Sequence, residues 1–434
     1  MRKLVIGLSL PLSGEYSAIG LQIEAALRLF ANDTNAAGGV TVTGERRDLE
    51  FEYRDDASRR DRTREIYRWL CFERRVDLLF GPYSTALTRV AAAVAADAGM
   101  LLVNHGGAGD DLYDDELTNR GTRPANPRRM IVGVLSSAGD YMAGFISLLA
   151  TLKFWRKRLA IVAAKTPFAR AVADGAEREA KRRRIWLHGV RLRLKYSTRF
   201  DPDHTPDTLT RALRRNRINA VVSAGSYDHD LAVMRLCAAH APSLPVLACV
   251  AAGVARFGAD LAEDAEGIVG PSQWEADTGF LPQIGPSSRD FTRRIRALGA
   301  LECDYPAAQA YAAGLVTLAA IRTVDSLDHA HLRSAFSGLR TSTLFGDFAI
   351  DPVSGRQVGH KMLLVQWHRG SKVLIDAEPD PNEGALEFPS GWRLVLASMQ
   401  YLGLTRPHPS HHGRDVDDAK FGDHPDEIDD DEKD

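Results

Sequence analysis

Four short loops in this chain of 434 residues carry the residues best suited to chemistry, and the chemistry they suit is binding. Ser84 and Thr85 follow Gly81-Pro82-Tyr83 and open an alanine-rich segment of helical pattern. Two adjacent hydroxyls beside the N–H groups of a helix start suit a carboxylate or carbonyl oxygen. Ser84 equally suits a plain helix cap. His105-Gly106-Gly107-Ala108 follows the apolar run Met100–Asn104. Its glycines let backbone approach a bound molecule closely, or form a simple turn. His105 either donates to a ligand or finishes the strand. Tyr227 follows Ala220–Ala224 and offers a ring with a hydroxyl; packing is its other reading, as it is for Phe168, which follows Leu159–Ala164. Ala251-Ala252-Gly253 makes a fourth small-residue loop after Pro245–Val250. Tyr305, and Trp274 beside the hinge-like Gly270-Pro271, complete the aromatic candidates, with ordinary packing as the alternative for Trp274.

Other chemistries lack their residues. The esterase-like His105-Gly106-Gly107-Ala108-Gly109 has no G-x-S-x-G elbow to serve. Gly106-x-x-Gly109 is too partial for a dinucleotide fingerprint, and no G-x-x-x-x-G-K-[ST] occurs. Cys71, Cys237, Cys249 and Cys303 show no C-x-x-C spacing, so no zinc site is expected and the redox compartment stays open. His408, His411 and His412 lie in a stretch poor in apolar residues and read as solvated. No cofactor, metal or catalytic residue is expected. A net charge of −2 argues against nucleic-acid binding, and Lys181–Arg184 reads as a solvated helix end. No apolar stretch is long enough to span a membrane, so no direct insertion is expected.

The elements that position these loops alternate. Leu4–Leu12 is a continuous apolar run ending in Pro11, Ser13 and Gly14, the pattern of a strand buried in a parallel sheet. Met1-Arg2-Lys3 before it mimics a short signal peptide, but no small-residue cleavage site follows. Helical periodicity takes over from Leu21 to Asn32. Strands are expected at Leu49–Tyr53, Val76–Phe80, Met100–Asn104, Met130–Leu135, Leu159–Ala164, Ile185–Leu192, Ala220–Ala224 and Pro245–Val250, with helices between them, including Gly139–Phe154. This is an α/β pattern of doubly wound parallel sheets. Ten such units exceed one comfortable sheet, so two lobes of about five strands, facing each other across a cleft, are predicted. After Gly267 come helices at Ser287–Ala300, Tyr305–Val324 and His329–Gly338, then strands at Thr341–Asp351, Gly359–Gln366 and Ser371–Ile375. Trp392–Leu404 is an apolar segment within an extension over 386–414. Residues 415–434 are acidic and read as a disordered tail.

Taken together, Pro11-Leu12-Ser13-Gly14, Asn35-Ala36-Ala37-Gly38-Gly39, Asp55-Asp56-Ala57-Ser58, Gly81-Pro82-Tyr83-Ser84-Thr85, Tyr311-Ala312-Ala313-Gly314 and Phe345-Gly346-Asp347-Phe348 stand in an order and spacing that resembles the type I periplasmic binding proteins. The branch is that of the leucine/isoleucine/valine, amide and urea receptors of ABC importers, and the resemblance spans roughly residues 3 to 375. It implies two lobes joined by three crossings, closing on a ligand. Lobe one would hold 1–132 and 272–340, and lobe two 133–271 and 341–385. It also implies a small-molecule ligand, an ABC permease as partner, and no enzymatic activity. The Ser84-Thr85 loop would bind the ligand's carboxylate, Gly106, Gly107 and Ala108 would contact it through backbone, and Phe168 and Tyr227 match family aromatics. Glu15 and Tyr16 would face the cleft.

The sequence departs from this pattern where amino-acid binders of the branch place an acidic residue opposite the ligand's ammonium. Ala251, Ala252 and Gly253 stand there. A buried ammonium without a counter-charge costs several kcal/mol. Either Glu15, Asp228 or Glu275 substitutes, or the ligand is an amide, urea, or a carboxylate lacking an amine, aromatic ones included. Ser58 and Tyr83 stand where the cysteines of the family's common disulfide would fall. The resemblance implies a periplasmic location, although with Leu4–Leu12 read as a strand the chain as given shows no export signal. A cytoplasmic or receptor-type ligand sensor is the alternative.

Overall fold

The computed structural model describes residues 2–113, 130–151, 157–184, 186–187, 206–215, 217–240, 246–278, 280–299 and 303–375. The extension over 386–414, the acidic tail and most of the strand expected at Ile185–Leu192 lie outside those residues.

Leu4–Leu10 forms β1, buried along nearly its whole length. It is an inner strand, paired in parallel with β4 (Leu49–Asp55) on one side and β5 (Leu78–Phe80) on the other. β6 (Leu102–Asn104) and β7 (Ile131–Gly133) complete a five-stranded sheet in the order β4-β1-β5-β6-β7. A short hairpin, β2 (Val40–Val42) with β3 (Glu45–Arg47), precedes β4. Three helices cross over between these strands: α1 (Ser17–Ala36), α2 (Arg60–Arg68), which continues as a wider π-turn over Trp69–Arg74, and α3 (Thr85–Ala98). A continuous apolar run is what a strand covered on both faces requires.

Beyond β7 the chain enters a second sheet. After α4 (Ala143–Thr151) come β8 (Arg158–Ala163), α5 (Pro167–Arg182), β9 (Trp186–Leu187), α6 (Pro206–Arg215), β10 (Ala220–Ala224), α7 (Tyr227–His240), β11 (Val246–Cys249), α8 (Phe257–Leu261) and β12 (Val269–Ser272). Helices α9 (Ser288–Ala297), α10 (Tyr305–Val324) and α11 (His329–Gly338) follow. The chain then forms a hairpin of β13 (Thr341–Thr343) and β14 (Gly346–Phe348), and two last strands, β15 (Leu363–His368) and β16 (Ser371–Ile375).

The second sheet differs from expectation in size and direction. It has seven strands in the order β16-β15-β12-β11-β10-β8-β9, and β15 and β16 pair antiparallel. The single strand expected over Thr341–Asp351 is instead the β13–β14 hairpin, because Gly346 takes a φ of 109° and reverses the chain. The helix expected from Gly139 starts at Ala143, after a 3-10 turn over Ala138–Asp140.

Helix α10 is apolar and long enough to span a bilayer by composition, yet most of its side chains are buried in the fold. It lies on α1. A Cβ at Gly314 would fall 2.4 Å from the Phe30 ring, so only glycine lets the two helices approach. Phe30 meets Tyr311 edge-on at 5.2 Å, and Tyr311 meets Phe291 at the same distance. The N-terminal sheet is thus covered by a helix delivered late in the chain. All four cysteines are free thiols, as small buried hydrophobes would be, with Cys303 less enclosed than the rest.

Candidate functional site

The loops after β1, β5 and β6 pack against one another. Ser84 stands just before α3 with φ 146° and ψ 167°, a region essentially reserved for glycine. Its hydroxyl makes no capping bond to the helix. Its Oγ is buried and has no partner among the described residues. The cap reading therefore fails for Ser84: the strained backbone holds a buried hydroxyl that is not spent on the helix it precedes and has the Tyr16 phenol beside it. The first bond of this turn runs from Thr88 N–H to Ser84 C=O, so the N–H groups before it have no intrahelical acceptor. Thr85 instead serves the fold, its Oγ1 accepting from Gly109 N–H at 3.0 Å.

The loop after β6 packs against this one. A Cβ at Gly106 would lie 2.2 Å from the Pro82 carbonyl, so glycine is required. Asn104, which sequence reasoning passed over as a strand end, organises the loop. Its Oδ1 accepts from the N–H of Gly106 and Gly107, and its Nδ2 donates to Gly107 C=O at 2.7 Å and to Tyr113 Oη at 2.9 Å. The carbonyl of Ala108 accepts from Ala138 N–H. His105 is fully buried, edge-on to Phe80 at 5.8 Å. Burial pushes its pKa down to about 4 against the pull of its own backbone, so it is neutral, and neither ring nitrogen has another residue as partner among the described residues. It presents one donor and one acceptor.

Aromatic rings surround Ser84. Tyr83 Oη and Tyr305 Oη share a hydrogen bond of 2.7 Å, and the Tyr16 ring stands edge-on to Tyr83 at 5.6 Å. The Tyr16 hydroxyl interacts with Ser84 and with the exposed Glu15. Desolvation raises both Tyr83 and Tyr305, against the bond from Tyr305 in the case of Tyr83, so both stay protonated. Tyr141 meets Phe168 edge-on at 5.5 Å.

The remaining candidates lie outside the first-sheet loops. Tyr227 is half-buried on the second sheet, its Oη donating to Asp260 at 2.7 Å and its ring lying under the Arg256 guanidinium. Ala252 is fully buried, and its carbonyl accepts from the Trp367 indole N–H at 2.8 Å. Trp274 is a core residue, 1% exposed, donating to the Leu344 carbonyl at 2.9 Å and packed edge-on against Phe291.

Three connections join the two sheets, and a buried network pins them together. Gln273 Oε1 accepts from Ser136 N–H, while Gln273 Nε2 donates to Ser136 C=O and to Tyr141 Oη, all at 3.1 Å. His360 bridges the other two, with Nδ1 2.6 Å from Ser136 Oγ and Nε2 2.9 Å from the Gln273 carbonyl. The His360 ring stacks on Phe345, with burial pushing its pKa to about 4. Nearby, Lys372 Nζ reaches Glu275 at 2.7 Å and Gly253 C=O at 2.9 Å, and stands 3.8 Å from Asp304. Asp304 also accepts from Ala255 N–H and from Tyr305 N–H. No group of three or more metal-ligating side chains occurs among the described residues.

The model of the periplasmic binding protein family matches residues 3–372. The chain belongs to that family. Its fold is that of the type I members, and the solved structures similar to it agree. A leucine-binding protein from Thermotoga maritima superposes with a TM-score of 0.68 at 14% identity, covering 86% of this chain and 97% of that one. A substrate-binding protein of an ABC transporter from Desulfitobacterium hafniense, complexed with leucine, gives 0.67 at 16% identity over 86% and 100%. A solute-binding protein from R. palustris, complexed with benzoate, gives 0.63 at 18% identity over 87% and 97%. At these identities the likeness concerns the fold. As a periplasmic binding protein, the chain keeps the β5–α3 loop at a sheet's carboxyl edge, where open α/β sheets bind ligands.

Proposed function

We propose that this protein is the solute receptor of an ABC importer and that it closes two lobes on a small carboxylate lacking an amine, an aromatic carboxylate above all. The carrying observation is Ser84, whose glycine-like backbone presents a buried hydroxyl at a helix N-terminus that it does not cap, beside the Tyr16 phenol. Lobe one would comprise residues 1–132 with 272–340, and lobe two 133–271 with 341–385. The separate five- and seven-stranded sheets and the seating of α10 on α1 support that division.

The charges favour an amine-free ligand. An ammonium needs a carboxylate, and the buried ones are engaged. Glu275 holds Lys372, Asp304 takes two backbone N–H groups, and Asp230 takes Ser223 Oγ and Ala251 N–H. Asp228 and Glu15 are exposed to water, where an ion pair is worth little. Solved structures similar in fold are described with benzoate and 3,4-dihydroxybenzoic acid as well as with leucine and isoleucine, so the architecture accommodates either class.

The test is a thermal-shift panel of leucine, isoleucine, urea, short amides, benzoate and hydroxybenzoates. Stabilisation by an aromatic carboxylate, absent in Ser84→Ala, supports the reading. Stabilisation by leucine or isoleucine and not by benzoates sinks it.

A further inference from the structure

Tyr141 belongs to none of the loops that the sequence singles out. It precedes α4 on the chain leading into the second sheet, whereas Tyr83 and Tyr305 stand at the starts of helices on the first. Its phenol is close enough to affect the ionisation of both. Its oxygen is held by Gln273, and the direction of that bond is fixed. Ser136 offers the Gln273 side chain both a backbone N–H and a backbone C=O, so the amide oxygen must face the former and the amide nitrogen the latter. The second N–H of the same nitrogen then points at Tyr141 Oη. Both amide N–H donors are engaged, and it is the nitrogen, which has no lone pair to offer, that faces the phenol, while the oxygen faces Ser136. Gln273 cannot take the Tyr141 proton. No other described residue accepts it, although the ring is only 8% exposed. A buried phenol donor without an acceptor is a site for one.

We propose that Tyr141 is a specificity-determining residue of the binding site, offering its hydroxyl proton to an acceptor on the end of the ligand remote from the carboxylate. Gln273 is the positioning residue that keeps Tyr141 a donor. The inference rests on the carboxylate reading above, with Ser84 holding the other end. It names the ligand class further: a carboxylate whose far end carries a carbonyl or other hydrogen-bond acceptor. The Phe168 ring, edge-on to Tyr141, restricts the phenol's swing. The same amide ties Tyr141 to the inter-sheet connections, so the donor is aimed by the frame that closes the cleft.

The test uses two nearly isosteric probes, 4-acetylbenzoate and 4-isopropylbenzoate, titrated calorimetrically into the full chain. Only the first carries an acceptor. In Tyr141→Phe the affinity ratio of acetyl to isopropyl probe should fall about tenfold, with the isopropyl Kd within about twofold of its original value. Gln273→Glu, which replaces the donor with an acceptor that captures the Tyr141 proton, should lower the ratio similarly while Tyr141 itself is intact. An unchanged ratio in Tyr141→Phe overturns the inference, and so does equal weakening of both probes, which marks a purely structural tyrosine. If the unaltered protein binds neither probe nor benzoate, the carboxylate reading itself fails and the inference falls with it.

Discussion

Lys372 and Glu275 meet at 2.7 Å with their side chains only 12% and 17% exposed, and they join the edge strand β16 to the connection after β12. Two desolvated charges hold each other there, and desolvation raises the Glu275 pKa despite the lysine. Removing one partner strands the other. Lys372→Met should destabilise the fold by about 3 kcal/mol, whereas Lys372→Met with Glu275→Gln should recover most of that loss. Urea denaturation of the three proteins checks this. Equal midpoints for the single variant and the original protein would show the pair to be energetically idle.

Ser84 sets stability against binding. Glycine accepts φ 146° without the penalty of about 1–3 kcal/mol that a serine bears there. Ser84→Gly should therefore raise the melting temperature of the free protein and abolish most of the ligand-induced shift. A variant no more stable than the original would mean the backbone is not strained.

Buried acids and bases give opposite pH slopes. Asp230 is fully enclosed, and desolvation pushes its pKa up to about 7 despite bonds from Ser223 and Ala251. The folded state then holds a proton that the unfolded state has released, so this group's contribution falls as pH rises from about 4 to 7. Asp230→Asn should remove that decline, seen as a flatter difference curve of stability against pH. His360 acts in the reverse sense. Its folded pKa of about 4 lies below the unfolded value, so its contribution is present above about pH 6.5 and is lost as pH falls toward 4. His360→Asn should lessen the acid sensitivity of the protein. Melting temperatures between pH 4 and 8 test both, and parallel curves for variant and original would refute the assignment concerned.

Trp274 separates core from site. Trp274→Phe loses the indole bond to Leu344 and should cost about 1–2 kcal/mol. Ligand affinity should stay within about twofold, measured by calorimetry, because the ring packs on Phe291 inside the core. A tenfold loss would return Trp274 to the cleft.

The strands with continuous apolar runs were readable because burial on both faces writes itself directly into composition. β1, β5 and β10 are of this kind. The β13–β14 hairpin was not readable, since its reversal depends on Gly346 at positive φ within a stretch that alternates like one strand. Likewise β15 joins the second sheet antiparallel to β12 and carries β16 antiparallel on its outer edge, which no local period encodes. At the site, the hydroxyls of Ser84 and Thr85 look alike in sequence. Only the structure shows that Ser84 does not cap its helix while Thr85 fastens Gly109. Tyr141 and Gln273 carried no visible signal, because each matters through a partner brought from a distant segment; Gln273 and Ser136 are separated by 137 positions.

The seating of α10 on α1 bears on how a ribosome delivers this protein. The strands of the five-stranded sheet are all synthesised by Gly133, but the helix that covers Phe30 begins only at Tyr305. Throughout the intervening translation, the side of Phe30 that Gly314 and Tyr311 later cover stays bare on the nascent chain. Folding of the N-terminal sheet therefore waits for a helix made long after its last strand, and the growing polypeptide spends that interval exposed to aggregation and dependent on chaperone shielding.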